Sequence, residues 1–274
     1  MPVSIVRPVN DSNTVEQGPY ETVRVERDGG VVRLTLDRPE RKNAVTPQMW
    51  RELRLVFDEV ADTASDRVLV ITGAGGDFCS GADIVTGGGA RHPLDEMRTV
   101  GRACLALHHL PKPTIARIDG VAVGAGMNLA LACDLTVATT RARFSEIFAR
   151  RGLAVDFGGS WLLPRLIGLH RAKELVLLAD IISAVEAERL GLLNRVVEPD
   201  QLDVVVDEWA ARLVAGPPIA LSLSKQLLHE GLSSSLAQAV DAESAAQAVT
   251  LPSHDVAEAL GAFIERREPR FEGR

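Results

Sequence analysis

Cysteine is scarce. Cys79, Cys104 and Cys133 are odd in number and never spaced as C-x-x-C. That suits reduced thiols in a cytosol better than a disulfide framework or a zinc site. Long apolar runs are also missing: the longest uncharged stretch, Gly120 to Cys133, is too short and too glycine-rich to span a bilayer. No apolar segment follows Arg7, so no secretory signal is visible and a cytoplasmic protein is expected. Positive charge is in deficit, with a formal net charge of −7. That argues against nucleic acid as a partner, because phosphate binding needs a basic face. None of Lys42, Lys112, Lys173 and Lys225 is flanked as in a P-loop, and neither Gly124-Ala125-Gly126 nor Gly73-Ala74-Gly75 has the third glycine of a dinucleotide fingerprint. The histidines show no metal-ligand pairing, so no metal site is expected. No internal repeat of fixed period stands out.

What remains is an ordinary soluble composition, 46% hydrophobic and 24% charged, in a chain long enough to bury a sizeable core. Its centre is Ile118 to Asp134, I-D-G-V-A-V-G-A-G-M-N-L-A-L-A-C-D. Thr114 to Ile118 reads as a buried strand, Gly120, Gly124 and Gly126 strip the turn of side chains, and Met127 to Ala132 begins a helix. Such a turn points free backbone N–H groups at whatever lies above it; small residues that merely let a helix pack on a sheet are the plainer alternative. A second strand, Arg67 to Thr72, runs into G-A-G-G-D-F-C-S-G-A-D-I, with open backbone around Gly81-Ala82-Asp83. Two such turns could converge on one oxygen, the arrangement that stabilises an oxyanion in acyl and enolate chemistry.

The remaining chain reads in order. Residues 1–20 lack periodicity and are expected to be a disordered tail. Glu21 to Arg27 and Val31 to Leu36 alternate across Asp28-Gly29-Gly30, a hairpin signal. Thr46 and Pro47 start a helix that runs to about Ala61. Thr86 to His92 reads as a flexible loop, followed by a helix to Leu110. Strand and helix alternate to about Val137, the pattern of a parallel sheet. Helix dominates from Ser160, with Val196-Val197 as a last short strand. Gly216-Pro217-Pro218 marks a boundary, and Ile219 to Arg267 is nearly all helix.

F-C-S-G-A-D-I and D-G-V-A-V-G-A-G-M-N-L-A-L-A-C-D together resemble the crotonase superfamily, the enoyl-CoA hydratases and isomerases. Leu36 to Thr46, Phe157 to Gly168 and Ala262 to Phe271 extend the resemblance over roughly residues 21–274, in the family's order and spacing. It implies an α/β crotonase (ClpP-like) spiral of ββα units over residues 21–215. A C-terminal helical region, 216–274, would complete a homotrimer, often paired into a hexamer. It also implies an acyl-CoA thioester substrate and no cofactor beyond its coenzyme A moiety.

By the same resemblance, the N–H groups of Ala82 and Ala125 would hold the thioester oxygen. Gly81, Asp83, Ile84, Gly126, Asn128 and Phe148 would surround the acyl group, with Arg41, Lys42 and Ala44 near the coenzyme. The two glutamates that activate water in the family's hydratases fall at Asn128 and Phe148 here, and neither can act as a base. A carboxylate stands instead at Asp156, a position that resembles enoyl-CoA isomerases and the ring-epoxide isomerases of phenylacetyl-CoA breakdown. Between Val155 and Phe157 it would sit in an apolar pocket with a raised pKa, suited to carrying a proton. It could instead cap the following helix. Glu146 is the rival carboxylate, its plainer reading a solvated or capping position. Asp83 could simply order its own loop, and Arg41 and Lys42 could be a bare charged loop. Shifting a double bond or rearranging an unsaturated acyl-CoA is the leading expectation; within the enzyme class hydration comes next and a dehalogenase-like role, with Asp156 as nucleophile, third, and a crotonase-fold binder with little catalysis is the other class.

Overall fold

A computed structural model describes residues 19–84 and 92–274. Most of the expected tail, and the expected loop up to Arg91, lie outside the described residues. Strands β1 (Val23–Asp28) and β2 (Val31–Leu36) form the expected hairpin, turning through Gly29 and Gly30, both in the left-handed region. Next come α1 (Pro47–Asp62), β3 (Val68–Gly73), α2 (Pro93–His108), β4 (Thr114–Ile118), β5 (Val121–Val123), α3 (Ala125–Leu131), β6 (Leu135–Thr139) and β7 (Arg143–Ser145). The chain continues through α4 (Gly159–Leu178), β8 (Ile182–Ser183), α5 (Ala184–Leu190), β9 (Arg195–Val197) and α6 (Leu202–Val214). It ends with α7 (Pro218–Gly231), α8 (Leu236–Thr250) and α9 (His254–Glu265).

The main sheet runs β1-β2-β3-β4-β6-β9 and is parallel from β2 onward; a smaller sheet runs β5-β7-β8. Burial explains this pattern. Along β3, Leu69 and Ile71 enter the larger core, while Val68 and Val70 meet Leu202, Val206 and Ala210 of α6 on the other face. A strand covered on both faces shows no polar alternation, which is why V-L-V-I reads as a continuous apolar run. On α1, Met49, Trp50, Leu53, Val56, Phe57 and Val60 recur at helical spacing and are all buried. Thr46 caps that helix by accepting the Met49 N–H at 3.1 Å.

Some expected boundaries move. β5 lies inside what reads as a glycine turn, because three residues suffice to pair with β7. The following helix begins at Ala125 instead of Met127. The helix from Gly159 breaks at Gly168 (φ 75°), within the apparent helical run. A break between helices falls at Gly216-Pro217, with α6 ending at Val214 and α7 starting at Pro218. No described helix is long and apolar enough to cross a membrane.

Candidate active site

Two backbone segments lie side by side and set the site. Phe78 N donates to Asp119 O (2.8 Å), Cys79 N to Val121 O (2.9 Å) and Val123 N to Cys79 O (2.9 Å). This short ladder lays the chain leading to Ala82 against the chain leading to Ala125. The other flank of the first segment is pinned by Val45 N donating to Gly81 O (2.8 Å) and Asp83 N to Val45 O (2.9 Å). Asn43, fully buried, fixes the base: its Nδ2 donates to Ala74 O (2.9 Å) and Asp77 O (2.7 Å), and its Oδ1 accepts the Arg38 N–H (3.0 Å). The sequence marks Asn43 only as part of the Leu36–Thr46 stretch; its φ of 55° and its burial show a clamp.

Glycine is required where the turns approach. An ideal Cβ on Gly81 would lie 2.8 Å from Val123 O, and one on Gly126 would lie 2.5 Å from Cys79 O. Among the described residues, neither the Ala82 nor the Ala125 amide donates to a protein acceptor. Both residues line one cavity of about 340 Å³. Gly81, Asp83, Ile84, Phe148, Arg41 and Ala44 join them on its wall, as the sequence reading anticipates, and Arg151 and Leu153 join them unanticipated.

Other anticipated residues lie elsewhere. Lys42 turns away to Asp77 (3.5 Å), and Gly126 packs against Cys79. Asp83, although on the wall, holds Arg38 through an ion pair of 3.0 Å, the loop-ordering role. Asn128 is fully buried beneath the cavity and is not part of its wall. Its Nδ2 donates to the main-chain O of Asp156 (3.0 Å) and to Glu146 Oε2 (3.4 Å).

Asp156 does not cap the helix that follows. Gly158 occupies the cap position of α4 without a side-chain hydrogen bond, and Asp156 contributes only its main-chain O, accepting from Gly159 N (3.0 Å). Its Oδ1 is buried and has no hydrogen-bond partner. Burial pushes its carboxyl up to about 6, as the apolar surroundings lead one to expect. Phe157 beside it stacks on Trp50, with ring centroids 4.9 Å apart. The solvated reading of Glu146 fails. The residue is fully buried, and burial pushes its carboxyl up to about 8, with a further upward push from the Asp156 charge. Nothing in the local sequence marks it, because F-S-E-I presents an acid among apolar residues as a surface strand also would.

The arrangement offers two unpartnered amides at a cavity wall; Glu146, fully buried, and Asp156, partly buried, are not among the residues that line that cavity. No cluster of three or more metal-ligating side chains suited to an ion exists among the described residues.

Comparison with known proteins shows what the chain is similar to. The family model described as enoyl-CoA hydratase/isomerase matches residues 26–274. A probable enoyl-CoA hydratase of Rhodobacter capsulatus is 39% identical over 260 residues, covering 93% of this chain and 99% of that protein. The 1,2-epoxyphenylacetyl-CoA isomerase of Escherichia coli is 36% identical over 251 residues, covering 89% and 96%. The crystal structure of a putative enoyl-CoA hydratase from Streptomyces coelicolor superposes with a TM-score of 0.89 at 37% identity, over 97% of this chain and 100% of that one.

Proposed function

The chain belongs to the enoyl-CoA hydratase/isomerase family of the crotonase superfamily, and from that premise we propose that it shifts the double bond of an enoyl-CoA thioester, with Asp156 as proton carrier. The thioester oxygen accepts hydrogen bonds from the Ala82 and Ala125 amides. Asp156 takes a proton from C2 of a 3-enoyl chain, and the electron pair moves into the conjugated enolate, its charge on the held oxygen. As that oxygen returns its pair to the carbonyl, the C1–C2 double bond shifts to C2–C3 and, in the same step, the displaced C3–C4 pair takes the proton from Asp156 at C4, which restores the carboxylate. No water enters, and no cofactor is needed beyond the substrate's own coenzyme A.

The single observation that carries this reading is Asp156. It is a carboxylate raised to about 6 by burial, with one oxygen unpartnered, in a chain whose hydratase positions hold Asn128 and Phe148. A group poised near neutral pH serves as base in one half-reaction and acid in the next. Incubating the protein with a 3-enoyl-CoA and following formation of the conjugated 2-enoyl-CoA tests it; hydration of 2-enoyl-CoA without any isomerisation would overturn it.

Hydration is the second reading, favoured by one specific observation. Glu146 supplies a second buried carboxyl in the same cluster, so a water molecule could be shared between two acids there. Assembly as a homotrimer or a hexamer belongs to the same proposal. Leu228, Leu236, Phe263 and Ile264 on and beside α7–α9 are each more than about 70% exposed, apolar surface that a second copy would cover. Light scattering at micromolar concentration checks it, and a monomer would contradict it.

A further inference from the structure

Asn128, Glu146 and Asp156 each carry a buried oxygen without a hydrogen-bond partner: Asn128 Oδ1, Glu146 Oε1 and Asp156 Oδ1. The Asn128 amide links the three residues, and it is spent on Glu146 Oε2 and on the Asp156 main chain. A buried polar atom left unpaired is costly, and two ionised carboxylates would leave all three of these atoms as acceptors. One proton on Glu146 changes the accounting, since its hydroxyl becomes the missing donor.

We propose that Glu146 is a positioning residue for Asp156: as a neutral acid it holds the Asn128 amide, which in turn holds the main chain from which Asp156 projects. This rests on the reading of Asp156 as proton carrier and adds to it a second carboxyl group with a different role. Tight packing supports it. An ideal Cβ on Gly159 would lie 2.5 Å from Asn128 Nδ2 and 2.7 Å from Val155 Cγ2, so the amide is wedged against the start of α4 and has little freedom. Glu146 is also placed rigidly, because the neighbouring Ser145 O accepts from Gly124 N (2.8 Å), in the very turn that presents Ala125. A shift of Glu146 is therefore felt at both the carboxylate and the oxyanion donors.

The charges are coupled as well. Asp156 is the ionisable group whose charge acts on Glu146, and Cys104, itself pushed up by burial and by Asp156, is the other titratable side chain in the cluster. The Asp156 charge pushes Glu146 further toward its neutral form, so the two groups titrate as a pair. While Asp156 is ionised, ready to take a proton, Glu146 keeps its own. Once Glu146 loses it at alkaline pH, a second negative charge faces the developing enolate and the reaction slows.

The test uses the full-length protein, Glu146→Gln and Glu146→Ala, with the side-chain carboxyls of Asp and Glu labelled with ¹³C and the signals assigned through Asp156→Asn and Glu146→Gln. The Glu146 carbon is expected to report a protonated acid at pH 7, and the Asp156 carbon to show a second inflection where Glu146 titrates. Glu146→Gln, which keeps both an acceptor and a donor, should remove that inflection and the alkaline fall in kcat. Glu146→Ala should lower kcat by about tenfold or more at every pH with KM within about threefold, and Gln should recover most of that loss. An ionised Glu146 at pH 7, or superimposable Asp156 titrations in wild type and Glu146→Gln, would overturn the proposal. Should Glu146→Ala not fold, the Gln variant and the titration still decide. If the wild type turns over no 3-enoyl thioester, the isomerase reading falls while the titration continues to test the coupling.

Discussion

Replacing Gly81 by alanine drives a methyl group between the two donor turns. The new carbon would lie 2.8 Å from Val123 O and 3.8 Å from Ala125 N. Carbon–oxygen contacts settle at about 3.3–3.6 Å, so the turns must part by roughly half an ångström. The backbone at φ +94° adds strain of about 1–3 kcal/mol for any residue but glycine. One well-placed oxyanion donor is worth about 2.7–4 kcal/mol. Losing about half of one donor's contribution costs about 1.4–2 kcal/mol, or roughly 10–30-fold in kcat. Gly191→Ala is the control. It sits at φ +91° beyond α5, and its nearest neighbour, Leu166 O, lies 3.8 Å from an added Cβ. It should therefore show the backbone strain without wedging anything. The assay is kcat and KM on an acyl-CoA thioester for both variants, together with their melting temperatures. A loss of stability in both, larger in Gly81→Ala, with kcat lower only in Gly81→Ala is expected. If kcat in the two variants agrees within about threefold, the two turns do not form the oxyanion site.

Three further expectations follow from the same geometry. Burial raises Glu146 from its ordinary 4.5 to about 8, so the folded state binds this proton more tightly; the resulting stabilisation is complete below about pH 4.5 and is lost as pH rises through 8. Glu146→Gln should accordingly gain stability over wild type between pH 5 and 9, on the order of a few kcal/mol by chemical denaturation, and a flat difference would contradict it. Arg151, exposed on the cavity wall beside Arg41, should assist the phosphates of the coenzyme; Arg151→Gln is expected to raise KM for the thioester roughly 3–10-fold and leave kcat nearly unchanged, and an unchanged KM would remove it from the binding surface. Placing aspartate at both Phe263 and Ile264 should reduce the scattering mass to that of a single chain, with the helical circular dichroism retained; an unchanged mass would move the interface elsewhere.

The fold was legible where apolar periodicity and glycine spacing act locally. The β1–β2 hairpin, α1 with its Thr46 cap, and the strands at Val68 and Thr114 lie where those patterns put them. The glycine-rich turns themselves were legible as well, because the close approach of two backbone segments demands small residues whatever the tertiary context. Strand β5 was not, since three residues within a glycine-rich run carry no period of their own and are defined only by pairing with β7. Asn43 carries no sequence signal of its own, and the burial of Glu146, the rival carboxylate, is not visible in the sequence either, for a related reason. A polar residue in a short motif looks the same whether it is solvated or clamped, and only the packing of distant segments around it decides. Asp156 shows both sides. Its identity in an apolar stretch suggested a raised pKa, whereas its freedom from helix capping became visible only once Gly158 was seen to hold the cap position.

The central claim is that Asp156 carries the proton, and Asp156→Asn tests it most directly. Asn keeps the size and the main-chain carbonyl that Asn128 holds, and it removes only the base. Helix α4 draws no cap from this side chain, so the fold and melting temperature should survive at neutral pH. The measurement is the rate of conversion of 3-enoyl-CoA to 2-enoyl-CoA, taken with acyl-CoA affinity in the same preparation. A fall of at least about 10²-fold in kcat with affinity retained is predicted, the scale of a positioned acid–base group. Turnover in Asp156→Asn comparable to wild type would contradict the account and transfer the proton chemistry to Glu146.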